Sequence, residues 1–188
     1  MSAFEHVILL LSFIYALALT HLLSTAALLI RARSRVRFSW FWAFWMLNAV
    51  VMIIANWMSF WDMRMLARYT VGDLFFVFAL AFTNYLYAAL VCPHVKDEGP
   101  IDLPAFHAEE GLPYMLGALS SVISALLANL IYGGSVSEWN MQNFAVIPML
   151  MGVLLATVVR ARWAQIAAPV IVTCTWIFYF GTLQQALR

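Results

Sequence analysis

Charged residues are scarce in this chain, which has ten Lys and Arg and nine Asp and Glu among 188 residues. Soluble domains usually carry about a quarter charged residues. Here 65% of residues are hydrophobic, and the mean hydropathy is +0.89. A soluble fold could not bury that much apolar surface, so this class is excluded. The net charge of +1 also lacks the strongly basic character of a nucleic-acid-binding protein.

Cysteine and histidine are equally few, with two and four residues. Cys92 and Cys174 cannot form a disulfide framework, and no zinc-binding spacing occurs. His21 has no histidine in another predicted span with which to hold a heme across the bundle. We therefore predict no cofactor and no metal site. His94 and His107, in an acidic segment, leave open whether that segment binds a metal.

What the chain has in abundance is long apolar runs, each of the length that an α-helix needs to cross a bilayer. Six spans are predicted, at about 4–30, 38–61, 71–92, 114–132, 141–159 and 166–182. They use nearly the whole chain, so we predict one all-α domain over 1–188, a polytopic transmembrane helix bundle. Continuous runs favour helices over the alternating strands of a membrane barrel.

Residues at the ends of the runs indicate where the chain meets the membrane surface. Trp40 and Trp42 are predicted to lie at headgroup level at the start of span two. Pro93 ends span three, because proline cannot extend a helix. Asp102 followed by Pro104 predicts the start of a short helix on the membrane surface, separate from span four.

The basic residues predict an orientation. Seven lie in the segments after spans one, three and five: Arg31, Arg33, Arg35, Arg37, Lys96, Arg160 and Arg162. The other three are Arg64, Arg68 and Arg188. Seven against three places the odd-numbered links in the cytoplasm and both termini outside it. We expect span one to remain as an anchor, since no basic residue precedes it.

Small residues at every fourth position mark two possible helix seams. They are Ser12, Ala16, Thr20 and Ser24 in span one, and Gly117, Ser121 and Ala125 in span four. Such stripes let helices approach closely in lipid, so both are predicted to pack against neighbouring helices. An inverted repeat of spans one to three and four to six is the alternative interpretation.

Polar residues recur at one depth when each residue is counted as 1.5 Å along its span. They are His21, Asn48, Asn84, Ser121, Ser124, Thr173 and Thr175. Unpaired donors facing lipid would cost several kcal/mol, so these side chains are expected to face inward. Two interpretations stay open. The side chains either join neighbouring helices by hydrogen bonds or line a polar cavity that binds a solute.

A second polar set lies towards the opposite face of the membrane and comprises Glu5, Asn56 and Asp73. Asp73 shares a helix face with Asn84, because eleven residues make about three turns. These three residues are the predicted outer entrance to the polar layer. The alternative for Asp73 is a carboxylate that complements a helix N-terminus.

Catalytic patterns are absent from the sequence. It contains neither a phosphate-binding glycine loop, a nucleophile elbow nor a paired-histidine metal helix. The leading hypothesis is a small channel-like or carrier-like homo-oligomer that binds or passes a small polar solute or ion. A non-enzymatic accessory subunit of a larger membrane complex is the first alternative, and a membrane enzyme acting on lipid is the second. Membrane lipid is an expected partner, through the arginines of residues 31–37.

Several soft motifs resemble a widespread group of uncharacterised bacterial six-span inner-membrane proteins. They are Phe4 at the start of span one, the run Ala18-Leu19-Thr20-His21-Leu22-Leu23, the basic link of residues 31–37, an aromatic span two and the pair Cys92-Pro93. The resemblance implies the six-span architecture and a multi-pass location in a bacterial inner membrane. It carries over no functional residue.

Overall fold

The computed structural model describes residues 3–60, 70–95, 98–132, 136, 139 and 141–186. Four residues that carry sequence expectations lie outside the described residues: Arg64, Arg68, Lys96 and Arg188.

Helices dominate the described residues, with six α-helices and two very short strands. The helices are α1 (Ala3–Arg31), α2 (Trp40–Ser59), α3 (Val71–Val91), α4 (Leu103–Tyr132), α5 (Met141–Val158) and α6 (Arg162–Ala186). Five of them, all except α5, are long and apolar enough to cross a membrane. The predicted all-helical fold and multi-pass membrane character are thereby confirmed.

The chain forms two compact units, residues 1–117 and 118–188, and α4 continues from the first into the second. In the first unit, α1 packs against both α2 and α3. One face of α1 is buried there, through Leu11, Tyr15, Ala18, Leu22, Thr25 and Leu29. Spacings of three and four residues keep these side chains on one side of the helix.

The predicted small-residue seam of span one lies mostly outside the buried face of α1, although the Ser12 hydroxyl accepts from the Trp57 Nε1 of α2 at 3.3 Å. Ala16, Thr20 and Ser24 are exposed, whereas the larger Tyr15 and Leu22 are buried. Successive helical residues differ by 100° around the axis, so neighbouring positions face different surroundings. The small residues predicted to pack in span four agree better with the structure, because Gly117 and Ser121 are buried. A Cβ added to Gly117 would lie 3.0 Å from the Tyr87 Cα, so α4 approaches α3 closely there.

A two-stranded parallel ladder joins the link after α1 to the segment after α3. Strand β1 (Val36–Arg37) pairs with β2 (Ile101–Asp102). The Arg37 Nη1 lies 3.1 Å from the Asp102 Oδ2, and the Arg35 Nη1 donates to the Gly99 carbonyl at 2.9 Å. We call these pairings the clasp. They require both links to lie at the same end of the helices of the first unit.

Asp102 also begins α4, as the sequence predicts, because its Oδ1 accepts a hydrogen bond from the Ala105 N–H at 3.0 Å. The separate surface helix predicted before span four is wrong. The helix that starts after Asp102 runs without a break through Pro113 to Tyr132. Pro113 removes one backbone hydrogen bond, to Glu109, and Glu109 is exposed where water can replace it.

The second unit contains a close pair of helices, α5 and α6. A Cβ added to Gly152 would lie 2.9 Å from the Val172 Cγ2, so only glycine fits there without a shift. Ala156 and Ala168 are fully buried as well. The Gln165 Nε2 closes the end of α5 by donating to the Ala156 carbonyl at 3.0 Å. Small residues therefore set the spacing of this pair.

Candidate functional site

Helices α2 and α3 are joined by a row of polar side chains inside the first unit. The Tyr87 hydroxyl donates to the Trp45 carbonyl at 2.7 Å, and the Asn48 Nδ2 donates to the Tyr87 oxygen at 3.1 Å. Tyr87 and Asn48 are both buried. One phenol thus connects a backbone group and a side chain of α2 to α3.

About two turns further along α2, a second group of amides continues the row. The Asn84 Nδ2 donates to the Leu80 carbonyl at 2.8 Å, and the Asn84 Oδ1 accepts from the Asn56 Nδ2 at 3.2 Å. The same Asn56 nitrogen lies 2.9 Å from the Met52 carbonyl. We call Asn48, Asn56, Asn84 and Tyr87 the polar seam. It directly joins a residue of the predicted inner layer to one of the predicted entrance.

Tyr15 brings a further polar group to this region from α1. Its side chain is buried, and its hydroxyl has no hydrogen-bond partner in the part of the chain that the structure describes. The ring centroid lies 6.0 Å from that of Phe60. Phe60 follows Asn56 by four residues, so the Tyr15 ring packs against a residue one helical turn beyond Asn56.

The Asn56 oxygen is the second unused group. The described hydrogen bonds of Asn56 all come from its nitrogen, which leaves the Oδ1 able to accept. The Asn56 side chain is half-buried. A buried donor on Tyr15 and an available acceptor on Asn56 could both bond to a small polar guest. This end of the polar seam is the candidate site.

Several predicted residues of the polar layer lie elsewhere. His21 and Thr173 are exposed, contrary to the expected inward orientation, and each is adjacent to a buried residue, Leu22 or Val172. A rotation of 100° per residue separates the two sides. Thr175 is buried, but its hydroxyl donates within α6 to the Ile171 carbonyl at 2.8 Å.

The remaining serines belong to the second unit, where Ser121 is buried and Ser124 is half-buried.

Of the predicted entrance, only Asn56 joins the polar seam in the described hydrogen bonds. Glu5 is exposed on the first turns of α1. The Asp73 carboxylate accepts two hydrogen bonds from Thr70, one from its backbone N–H at 2.8 Å and one from its side-chain hydroxyl at 2.7 Å. This capping box accounts for Asp73 at the start of α3.

Sequence reasoning missed Tyr15, Tyr87 and Trp42. Tyr87 follows Asn84 by three residues, a spacing that places both on one helix face and could have marked it. Trp42 was expected at headgroup level with Trp40, yet Trp42 is buried and its Nε1 donates to the Val91 carbonyl at 2.8 Å. Residue type alone did not separate these two tryptophans.

A histidine and a tyrosine pair at the start of α4. The His107 Nδ1 and the Tyr114 hydroxyl are hydrogen-bonded, and the His107 ring stacks on Phe41 with centroids 5.8 Å apart. His94, the other histidine of the acidic segment, is exposed. Within the described ranges, no group of three His, Cys, Asp or Glu side chains is placed to hold a metal ion.

The chain matches no protein family, no curated protein and no solved structure. The resemblance to bacterial six-span inner-membrane proteins therefore stays a prediction.

Proposed function

We propose that this chain is a six-span membrane protein that binds or passes a small polar solute or ion along the polar seam of its first unit. The observation that carries the proposal is the buried Tyr15 hydroxyl, which has no partner in the described structure and whose ring packs on Phe60, one turn beyond Asn56. A polar group without a partner in an apolar interior costs free energy. A bound guest that accepts from Tyr15 would remove that cost.

The chemistry of the seam favours particular guests. Carboxamide and phenol oxygens are dipolar but carry no full charge, so they can replace part of the hydration shell of an ion. They can also form hydrogen bonds with an uncharged polar solute. A neutral solute, which can accept from Tyr15, fits these groups best. A weakly held monovalent cation would bind only their oxygens, and a multivalent ion would require carboxylates.

The proposed architecture adds α5 as the sixth span. Its 18 residues extend about 27 Å at 1.5 Å per residue, close to the roughly 30 Å hydrocarbon layer. We place the chain in a bacterial inner membrane on the resemblance to six-span inner-membrane proteins, and both termini outside the cytoplasm on the distribution of basic residues. In this proposal the protein is a homo-oligomer.

Flux through reconstituted vesicles tests the proposal. Asn84→Leu removes the amide at the centre of the seam and fills the space with an apolar group. We expect the folded variant to lose most of the potassium efflux or glycerol-driven swelling that the wild type supports. Thr83→Val is the matched control, because the Thr83 hydroxyl donates only within α3, to the Leu80 carbonyl at 2.9 Å. Normal flux through folded Asn84→Leu for both probes would contradict a transport role.

Access of a reagent provides an independent measurement. Single cysteines at positions 48 and 84, in a background lacking Cys92 and Cys174, should react with a small membrane-impermeant thiol reagent if the seam is wet. Unreactive cysteines at both positions would show a dry seam that only joins helices.

A non-enzymatic accessory subunit is the second candidate. The observation in its favour is that Asn48, Asn84 and Tyr87 already have hydrogen-bond partners within the first unit. Such pairs can serve only to hold helices together, at about 0.6 kcal/mol per contact. A partner membrane protein that copurifies in fixed stoichiometry, together with a dry seam, would establish this function instead.

A further inference from the structure

An apolar groove lies between the second half of α1 and the first half of α2. Its volume is about 440 Å³, within the range of small-molecule pockets. The lining includes Leu22, Ala26, Ala43, Met46 and Leu103, with Arg33 as its charged member. Leu23 and Leu47 also line it and are exposed, so the groove opens on the outer surface of the helix pair. In a membrane that surface adjoins lipid acyl chains.

The length of the groove matches one leaflet of a bilayer. From Leu22 to the end of α1 at Arg31 the helix advances nine residues, or about 14 Å at 1.5 Å per residue, and Arg33 lies two residues beyond. Half of a typical hydrocarbon layer is about 15 Å. Arg33 follows the end of α1 at Arg31, where the chain leaves the apolar run. The groove therefore extends from headgroup level towards the middle of the bilayer.

Arg33 differs from the arginines of the clasp. Arg35 donates to the Gly99 carbonyl, and Arg37 pairs with Asp102. Arg33 is exposed, and its guanidinium has no hydrogen bond or ion pair with any residue that the structure describes. A guanidinium binds phosphate oxygens well, because its planar donors match their geometry. The one charge on the groove is thus positive and available to an anion.

We infer that this groove is a binding site for one anionic phospholipid, with an acyl chain along the apolar wall and the phosphate on Arg33. Charge complementarity selects this occupant, since an apolar peptide would leave Arg33 without a partner. The wall is formed by two helices, so a bound chain would contact both α1 and α2. The site is distinct from the polar seam, and its occupancy does not depend on transport.

Native mass spectrometry of the full-length protein, purified in detergent and incubated with defined lipids, tests this inference. The probes are phosphatidylglycerol and phosphatidylcholine with identical acyl chains. We expect the wild type to retain about one phosphatidylglycerol per chain, with a preference over phosphatidylcholine of about fivefold. Arg33→Gln should reduce that preference towards equality. Arg162→Gln is the matched control, because Arg162 is exposed at the start of α6 and does not line the groove.

A second pair of variants tests the apolar wall. Ala43→Trp should fill the groove and reduce retention of both lipids, whereas Ala27→Trp, at an exposed position outside the lining, should not. The inference is wrong if the wild type shows no preference, or if Arg162→Gln lowers the preference as much as Arg33→Gln. Unchanged retention in folded Ala43→Trp would equally overturn it. None of these outcomes depends on flux, so this inference and the proposed transport can fail separately.

Discussion

Tyr87 connects more groups across the polar seam than any other described residue of α3. Its hydroxyl donates to the Trp45 carbonyl and accepts from Asn48. We predict that Tyr87→Phe lowers the free energy of unfolding by about 1 kcal/mol, because the Asn48 amide loses its phenol acceptor in a buried position. Reversible unfolding in mixed micelles, followed by circular dichroism, measures the change.

Tyr85→Phe is the matched control for this variant. Tyr85 lies on the same helix, is half-buried, and makes no described hydrogen bond. Its substitution should change the unfolding free energy by only a few tenths of a kcal/mol. Equal losses in the two variants would mean that the Tyr87 hydroxyl contributes nothing specific.

Two neighbouring tryptophans show that residue type alone does not determine whether a side chain is buried or exposed. Trp40 is 81% exposed, while Trp42 is 4% exposed and hydrogen-bonded to the Val91 carbonyl. The indole N–H can bond to a headgroup, water or a buried carbonyl with the same chemistry. Only the position of α3 beside α2 decides which partner Trp42 finds.

The clasp links elements that are distant in sequence, since Arg37 and Asp102 are 65 residues apart. Asp102 serves two elements there, accepting from the Ala105 N–H at the start of α4 and pairing with Arg37. The Ala105 hydrogen bond, followed by the interactions with Arg37, holds the pKa of the Asp102 carboxyl below its ordinary value. Ionised Asp102 therefore stabilises the folded state.

This lowered pKa predicts the direction of a pH effect. The stabilisation from Asp102 is complete above the ordinary aspartate pKa of about 4 and is lost as pH falls through the lowered value. Asp102→Asn should thus lower the unfolding temperature at pH 7, with a smaller difference from wild type at pH 3. Thermal unfolding of the detergent-solubilised protein at both pH values measures this.

Glu109→Gln provides the control, because Glu109 is an exposed carboxylate on α4 outside the clasp. It should leave the unfolding temperature nearly unchanged at pH 7. If Asp102→Asn showed the same deficit at pH 3 as at pH 7, the carboxylate charge would not be the stabilising feature.

The orientation of the chain in the membrane decides on which side each link between helices lies. The pairing of β1 with β2 places the links after α1 and after α3 at one end of the first unit. The basic residues predict that this end is cytoplasmic and that both termini are outside. A reporter that is active only in the cytoplasm, fused after Arg188, should therefore be inactive.

A fusion truncated after Val95 is the matched control, and its reporter should be active. Activity of the fusion after Arg188 together with that of the control would mean an odd number of crossings, as expected if α5 does not span the membrane. Inactivity after Val95 with activity after Arg188 would reverse the proposed orientation.

The apolar runs by themselves determined that this protein is helical and crosses a membrane several times. A run of about 20 apolar residues leaves few other structures, because every backbone group in lipid must be paired within its own segment. Local chemistry also placed a helix start at Asp102, although the helix that begins there is α4 and not a separate surface helix. The inward position of Asn48 and Asn84 followed from the cost of exposing an amide to lipid.

Only the tertiary structure decided which face of each helix is buried and which groups meet. Tyr15 is buried while Ala16 is exposed, because the packing of α2 and α3 selects one side of α1. The Asn56–Asn84 bond and the clasp join segments that no local pattern connects. In an almost uniformly apolar helix, every side is compatible with lipid, so periodicity carries little information about the neighbour.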